Sequence, residues 1–307
     1  MIQKYLIIFN PIAGKGAAIK ELPRIHDFFS GRGLEYEVLF TERPGHAQEL
    51  AREHAGEAGT AVIAAGGDGT CNEVINGLLA EKTEADPPRL FGVLPLGRGN
   101  DFSYGGQVPA GLDEALEVLA GGNTVLLDAG IVRGGYYPQG RYFGNGVGVG
   151  FDTVVGLEAA KMKHVHDALA YVFGALKTLI KFSASPLLRI EFGDQVREIN
   201  AIQVSLMNGQ RMGGVFFMAP KAVNNDGMLD ICIVERRSRG KLMKAIMHYT
   251  KGTQEGLPGV YMDRARVFKL TALTGGMVVH ADGETICIDG QELEIACLPG
   301  VLSILHR

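Results

Sequence analysis

The sequence predicts a two-domain fold, in which an α/β domain with a parallel sheet is followed by a mostly antiparallel β domain. In the first part of the chain, short apolar runs alternate with stretches of helical spacing, which is typical of a parallel α/β sheet. The later part has strand-like runs separated by Asp-Gly pairs at Asp226, Asp282 and Asp289, which predict tight turns. We therefore expect domains at residues 1–127 and 128–307, and the pattern leaves open whether the last residues return to the first domain.

The individual elements are predicted from hydrophobic spacing. In the first domain, strands are expected at residues 5–9, 36–40, 61–65 and 90–94, and helices at residues 17–30, 46–55, 72–80 and 112–119. In the second domain, strands are expected at residues 189–192, 201–207, 229–234, 267–273, 285–288 and 293–298. Ligands of a parallel α/β sheet meet the loops that follow the carboxyl ends of its strands. Those loops are where we expect functional residues.

Composition narrows the class of protein. A length of 307 residues with 46% hydrophobic and 21% charged residues suits two domains with sizeable cores. The formal net charge of -4 argues against broad attachment to nucleic acid, which requires a basic face. The four cysteines form no CxxC pair and resemble the reduced core residues of a cytosolic protein. We expect no secretion signal after Met1 and no membrane-spanning segment, so any membrane contact should be peripheral.

The segment Ala64-Ala65-Gly66-Gly67-Asp68-Gly69-Thr70-Cys71-Asn72-Glu73 is the most informative in the chain. It places glycines, a carboxylate and a hydroxyl between an apolar strand and a helix. Glycine lets backbone N–H groups approach a polyphosphate, and the N-terminus of the helix adds positive potential. A carboxylate such as Asp68 suits magnesium, which prefers oxygen ligands and substrate phosphates. The alternative is a Gly-Asp-Gly turn that only reverses the chain.

Two further loops are expected at the same edge of the sheet. The segment Asn10-Pro11-Ile12-Ala13-Gly14-Lys15-Gly16 follows the first strand, and Leu96-Gly97-Arg98-Gly99-Asn100-Asp101 follows the fourth. The first of them lacks the spacing of the P-loop and could equally be a loop with a solvated lysine. Taken together, the three loops predict one phosphate-binding edge.

These motifs, in this order, resemble the diacylglycerol kinase catalytic-domain superfamily, particularly its soluble bacterial lipid kinases. The resemblance covers nearly the whole chain and includes TERPGHA at residues 41–47, the GGDGT loop, the Asn100-Asp101 turn, Asn224-Asn225-Asp226-Gly227 and Asp282-Gly283-Glu284. It implies a first domain of the NAD kinase/diacylglycerol kinase-like α/β fold with a parallel sheet. The second domain would then be a mostly antiparallel β-sandwich.

The resemblance also implies ATP as the nucleotide. Its contacts would be Asn10, Pro11, Ile12, Ala13, Gly14, Lys15, Thr41, Gly66, Gly67, Asp68, Gly69, Thr70, Cys71, Asn72, Glu73, Arg98 and Asn100. This chain departs from the family at Arg98, where a small hydroxyl residue is usual. An arginine there could hold phosphate through its planar fork.

The implied reaction transfers the γ-phosphoryl group of ATP, with Mg²⁺, to a hydroxyl of diacylglycerol or a related lipid alcohol. By resemblance Asp282 and Glu284 face Asp68 across the cleft. We expect Glu284 to act as the base, as a partly desolvated carboxylate, with Asp282 and Asp68 in the magnesium network, although the two roles of Asp282 and Glu284 could be exchanged. A solvated hairpin turn is the alternative for that pair.

A second cation site is implied in the β domain. Asp226, with the backbone carbonyls of Val223 and Met228, resembles the structural magnesium site of the family, and a plain Asp-Gly hairpin is the alternative. Nearby, the glycines of residues 144–150 superficially resemble a dinucleotide motif but lack the following βαβ unit. We expect them instead to allow close approach of another chain or of a lipid.

Two basic and apolar stretches are candidates for membrane contact. Residues 161–182 and residues 236–249 each combine lysine or arginine with an apolar stripe, as interfacial helices do. Ordinary helices packed on a sheet would show the same pattern. We expect a cytoplasmic protein, and peripheral contact at the inner membrane face stays open as one of the two interpretations.

Two alternative functions stay open at this stage. An NAD kinase-like phosphotransferase would act on a soluble substrate with the same GGDGT loop, and a nucleotide-binding regulator would bind ATP without turnover. The Asn100-Asp101 turn and the Asp282-Gly283-Glu284 segment favour the lipid kinase. Neither the lipid nor the oligomeric state follows from the sequence.

Overall fold

The computed structural model describes residues 2–151, 153–154 and 185–307. The chain divides into two compact units, one of Met1–Ala129 with Pro299–Arg307 and one of Gly130–Leu298. The stretch 161–182, which we named as a candidate for membrane contact, lies outside the described residues.

The first unit has a parallel sheet, as the sequence predicted. Its strands are β1 (Lys4–Phe9), β2 (Tyr36–Phe40), β3 (Thr60–Gly66) and β4 (Arg89–Pro95), in the order β4-β3-β1-β2. The last residues of the final strand, β15 (Glu292–Leu305), pair in parallel with β4. Continuous apolar runs such as Leu6-Ile7-Ile8-Phe9 are fully buried because helices cover both faces of such a sheet.

The helices of the first unit lie between these strands. They are α1 (Ala13–Gly16), a single turn whose Gly14 and Lys15 are not helical, α2 (Leu22–Gly31), α3 (His46–Glu53) and α4 (Asp68–Leu79), with α5 (Asp101–Gly105) and α6 (Leu112–Gly121) following β4.

Two predicted helix starts were wrong. The helix predicted from residue 72 begins at Asp68, because Gly67 is extended and serves as the N-cap, and an acidic residue is favourable in the first turn. The helix predicted from residue 17 is a 3₁₀ turn over Ala18–Glu21 followed by α2. Pro23 lies in the first turn of α2, where the missing N–H removes no intrahelical hydrogen bond.

The second unit is an antiparallel β-sandwich. Its elements are β5 (Thr124–Gly134), which begins in the first unit, β6 (Tyr137–Phe143), β7 (Gly146–Gly150), β8 (Leu187–Phe192), β9 (Gln195–Met207), β10 (Leu229–Glu235), α7 (Arg239–Tyr249), β11 (Val260–Ala265), β12 (Val267–Ala272), β13 (Met277–Ala281) and β14 (Glu284–Gly290). The long strand β9 pairs with β8 through its first half and with β7 and β10 through its second half. Side chains such as Phe143, Leu206 and Phe268 fill the core between the layers.

The turn predicted at Asp289, the state of the cysteines and the length of the helices were also predicted from the sequence. Asp289 lies inside β14, which continues to Gly290, so the turn predicted at Asp289 was wrong. All four cysteines are buried and free, as predicted. Among the helices that the structure describes, none is long and apolar enough to cross a membrane.

Candidate active site

Three loops lie together at the carboxyl ends of β1, β3 and β4. The amide of Leu96 donates to the carbonyl of Gly66 at 2.9 Å, and the Asn10 amide nitrogen Nδ2 donates to Thr70 Oγ1 at 3.1 Å. A Cβ added to Gly67 would stand 3.1 Å from the Cα of Gly97, so the second and third loops touch through their glycines. The structure therefore brings together the three segments that the sequence analysis selected.

The first loop holds an unusual backbone. Gly14, Lys15 and Gly16 have φ values of 59°, 61° and 82°, so three successive residues are left-handed. For Lys15, which carries a Cβ, this conformation costs roughly 1–2 kcal/mol. Strained residues such as Lys15 cluster at active sites and ligand-binding loops of proteins.

Asp68 stands at the N-terminus of α4, beside a second carboxylate. Its Oδ1 accepts a hydrogen bond from the Phe102 amide at 3.1 Å. A Cβ added to Gly99 would lie 2.8 Å from Oδ2 of Asp68 and 3.8 Å from Oδ2 of Asp101. Two carboxylates therefore border one glycine next to the proposed phosphate loops.

Sequence reasoning did not select two buried acids of this unit as site residues. Asp101 is 7% exposed and Asp128 only 2% exposed, and Asp128 Oδ1 accepts the Gly300 amide at 2.8 Å. The signal for Asp128 was a single acid within the apolar run Leu126-Leu127-Asp128-Ala129. The signal for Asp101 was its place directly after Asn100.

Three of the predicted nucleotide contacts, Cys71, Asn72 and Glu73, lie in the first turns of α4. The Glu73 carboxylate accepts the amides of Gly45 and Ala47 at 2.8 and 3.1 Å, which fixes the N-terminus of α3. Cys71 and Asn72 are 2% and 0% exposed. Glu73 therefore links the TERPGHA segment to α4, and Cys71 and Asn72 are buried residues of the same helix.

Other predicted contacts lie at the open ends of the loops. Thr41 follows β2, and its amide donates to the Phe9 carbonyl at 2.9 Å. Asn100 is left-handed with φ of 50°, and its Nδ2 donates to the carbonyls of Pro95 and Gly97 at 3.3 Å each. Arg98 is exposed in the same loop.

A pair of alanine substitutions should show how tightly the second and third loops pack against each other. Gly97→Ala would drive a Cβ into the backbone of Gly67, so we expect a loss of about 1–3 kcal/mol in unfolding free energy, as for other overpacked sites. Gly69→Ala is the matched control, because a Cβ there meets nothing within 4 Å. Denaturant unfolding measures both. Equal losses in the two variants would contradict the packing described for these loops.

Asp282 is held in a turn of the second unit by backbone hydrogen bonds. Its carboxylate accepts the amides of Gly144, Asn145 and Gly146 at 2.7, 3.1 and 2.9 Å. Asp282 itself is left-handed, with φ of 46°. A Cβ at Gly146 would stand 3.0 Å from the carbonyl oxygen of Leu206, so this glycine allows close approach of another segment of the chain. The carboxylate of Asp282 positions the backbone of residues 144–146.

Glu284 is placed differently from Asp282. It is the first residue of β14 and is exposed. The described residues therefore do not desolvate this carboxylate as we expected. Bound substrate would have to exclude water from it.

The predicted cation site around Asp226 contains a second acid. Oδ1 of Asp226 accepts the Met228 amide at 3.0 Å, and Oδ2 lies 3.4 Å from the Arg264 guanidinium. Burial, and secondarily the charge of Asp226, raise the pKa of Asp230 to about 6. A carboxyl group held close to a second acid in this way suits a divalent cation. Within the described residues no group of three or more His, Cys, Asp or Glu side chains could hold a metal, so carbonyl ligands such as those of Val223 and Met228 stay part of the prediction.

Magnesium should stabilise the protein through this site in the absence of nucleotide. At a hundredfold excess over its Kd, a cation bound only to the folded state adds about 2.7 kcal/mol, which raises Tm by several degrees. Asp226→Asn should remove most of that shift. Asp194→Asn, at an exposed acid of the same unit, should retain it. An unchanged magnesium shift in Asp226→Asn, measured by scanning calorimetry, would rule out this carboxylate as a ligand.

Comparison with known proteins agrees with this architecture. The model of the diacylglycerol kinase catalytic domain matches residues 4–132, and the YegS C-terminal NAD kinase beta sandwich-like domain matches residues 145–306. Diacylglycerol kinases from Staphylococcus aureus (strain bovine RF122 / ET3-1) and Staphylococcus saprophyticus are 32% and 30% identical to the chain. Each alignment covers 92% of this chain, with 87% and 90% of the respective relatives.

Solved structures show the same fold. A structure from Bacillus anthracis str. Sterne matches with a TM-score of 0.79 and 25% identity over 99% of this chain and 97% of its own. Yeast NADH kinase matches with a TM-score of 0.50 and 10% identity, over 99% of this chain and 83% of its own, a likeness of fold alone.

The fold and the matched domains define a kinase-type phosphotransferase. More particularly, the chain belongs to the diacylglycerol kinase catalytic-domain family of lipid kinases.

Proposed function

We propose that this protein transfers the γ-phosphoryl group of ATP, with Mg²⁺, to the hydroxyl of diacylglycerol or a related lipid alcohol at the cytoplasmic face of the membrane. The observation that carries the proposal is the meeting of three glycine-rich loops beside Asp68, the first residue of α4, and Asp101, the first residue of α5. The names of the staphylococcal relatives support a lipid as the acceptor.

The loops fit the phosphates of a nucleotide. The first-turn N–H groups of α4 have no intrahelical acceptors, and the glycines allow a phosphate close to the backbone. Ile12, 77% exposed in the first loop, offers an apolar surface on which a purine can lie. We assign base contact to Ile12 and phosphate contact to Gly67, Gly69 and Thr70.

The carboxylates fit a magnesium ion as well. Asp68 and Asp101 would repel a polyphosphate bound beside them unless a cation lay between the two kinds of anion. When bound, magnesium would neutralise charge on the phosphoryl oxygens. Asp68 and Asp101 are therefore the side chains that would hold it.

The acceptor hydroxyl must lose its proton as the new P–O bond forms. We assign this proton to Glu284, because Asp282 already accepts three backbone N–H groups and its role is to position the turn. The proposal keeps Glu284 as the base and gives Asp282 a positioning role in place of the magnesium role that the resemblance implied.

A panel of acceptors tests the proposed reaction. Purified protein is given ATP labelled in the γ-phosphate, with magnesium and either diacylglycerol in detergent micelles or NAD in solution. We expect label in the lipid and none in NAD. Label in NAD alone would establish the soluble-substrate alternative, and ATP binding without label in either acceptor would favour the regulator.

A further inference from the structure

Helix α7 carries an unusual concentration of positive charge. Residues 236–251 contain six of the 30 Lys and Arg of the chain and none of its 34 Asp and Glu. The chain as a whole has a formal net charge of -4. The basic segment is thus a local feature, opposite in sign to the rest of the protein.

One face of α7 is packed on the sheet. Leu242, Ala245 and Tyr249 are buried in a cluster with Val234 and Ile202. The Tyr249 hydroxyl lies 3.1 Å from Cys232 Sγ. The helix is therefore fixed in orientation, and its other face is a defined surface.

The opposite face combines apolar and basic side chains. Met243 and Met247, four residues apart, are 37% and 60% exposed, and Lys241, Lys244 and Lys251 are exposed around them. Residues four apart share one face of a helix, so Met243 and Met247 lie together, with Lys244 next to Met243 in sequence, Lys241 two residues before it and Lys251 just beyond Tyr249, the last residue of the helix. Single exposed methionines are ordinary, but two of them between lysines on a helix without acids form an apolar strip with a cationic rim.

We propose that the exposed surface formed by Met243, Met247, Lys241 and Lys244 of α7, together with Lys251 just after the helix, binds the surface of an anionic phospholipid bilayer. The lysines lie where they meet the headgroups, and the two flexible thioether side chains enter the boundary between headgroups and acyl chains. Nucleic acid would satisfy the charges but would leave the methionines without an apolar environment. The proposed binding involves no nucleotide, so it can be tested without ATP.

Cosedimentation with vesicles tests the proposal. We expect the protein to bind vesicles of phosphatidylcholine containing phosphatidylglycerol, and to bind vesicles of phosphatidylcholine alone much more weakly. Each lysine near such a surface contributes roughly fivefold in affinity, so the triple variant Lys241→Gln/Lys244→Gln/Lys251→Gln should bind on the order of a hundredfold more weakly. Met243→Gln/Met247→Gln should lose roughly tenfold through reduced apolar burial.

A charge-matched variant controls for net charge. Lys20→Gln/Lys221→Gln/Lys269→Gln removes three exposed lysines elsewhere and should bind like the native protein. Equal losses in the two triple variants, or native binding by the α7 variant, would overturn the proposal. Binding of duplex DNA that depends on the α7 lysines, without vesicle binding, would assign the surface to nucleic acid instead. Because the altered side chains are exposed, unchanged Tm values should show that folding is retained.

Discussion

Glu284→Gln should lower kcat by roughly 10²–10⁴-fold, the usual contribution of a general base. Glutamine keeps the size of the side chain but cannot take the proton from the acceptor hydroxyl. Since Glu284 is exposed at the start of β14, the substitution should leave the unfolding free energy within about 0.5 kcal/mol of the native value. The measurement is lipid phosphorylation at saturating ATP and lipid, together with denaturant unfolding.

The kinetic parameters that change in Glu284→Gln show whether Glu284 acts as the general base. A base deletion lowers kcat while the KM for ATP stays close to native, and it removes the acid limb of the pH profile of kcat. Glu292→Gln is a suitable control, because Glu292 is an exposed acid at the start of β15 in the same unit. If Glu284→Gln retained activity within a few-fold of native, the proton would have to go to another group.

Asp282→Ala should destabilise the second unit strongly. It removes the acceptor of three backbone N–H groups and places an alanine at a φ of 46°. Unsatisfied donors cost about 1–3 kcal/mol each when buried, and solvent reaches this turn in part, so we expect a total loss of about 3 kcal/mol. Thermal unfolding should show Tm lower by roughly 6–12 °C.

Two further substitutions separate the causes of that loss. Asp282→Gly removes the carboxylate but accepts the left-handed backbone, so it should be less destabilised than Asp282→Ala by roughly 1 kcal/mol. Asp282→Asn keeps one acceptor oxygen and tolerates left-handed φ, so it should be the most stable of the three. A reversed order, with alanine the most stable, would mean that the turn is not held by this carboxylate.

The parallel sheet could be predicted because its signal is local. The runs at Leu6-Ile7-Ile8-Phe9 and Ala61-Val62-Ile63-Ala64 are apolar along their length, as strands covered on both faces must be. The start of α4 could not be predicted in the same way. Asp68 and Gly69 are poor formers of helix interiors, and only the extended Gly67 before them makes Asp68 the first helical residue.

The roles of the acids depend on contacts between distant segments. Asp282 meets residues 136 to 138 positions earlier in the chain, and Asp128 meets Gly300, 172 positions later. No spacing in the sequence shows such pairs. The sequence could therefore name Asp282 and Glu284 as candidates, but the difference between a positioning acid and an exposed one required the structure.

The proposed lipid kinase activity is tested most directly by the transfer of labelled γ-phosphate from Mg-ATP to diacylglycerol in micelles. The native protein is compared with the Asp68→Asn variant. Asparagine keeps a side-chain oxygen near the Phe102 amide but lacks the charge needed to hold magnesium beside the phosphates. We predict labelled lipid with the native protein and at least a hundredfold less with a folded Asp68→Asn variant, by analogy with other losses of electrostatic stabilisation of roughly 10²–10³-fold. Equal labelling by the two proteins, or no labelling by the native protein, would contradict a lipid kinase that works through this carboxylate.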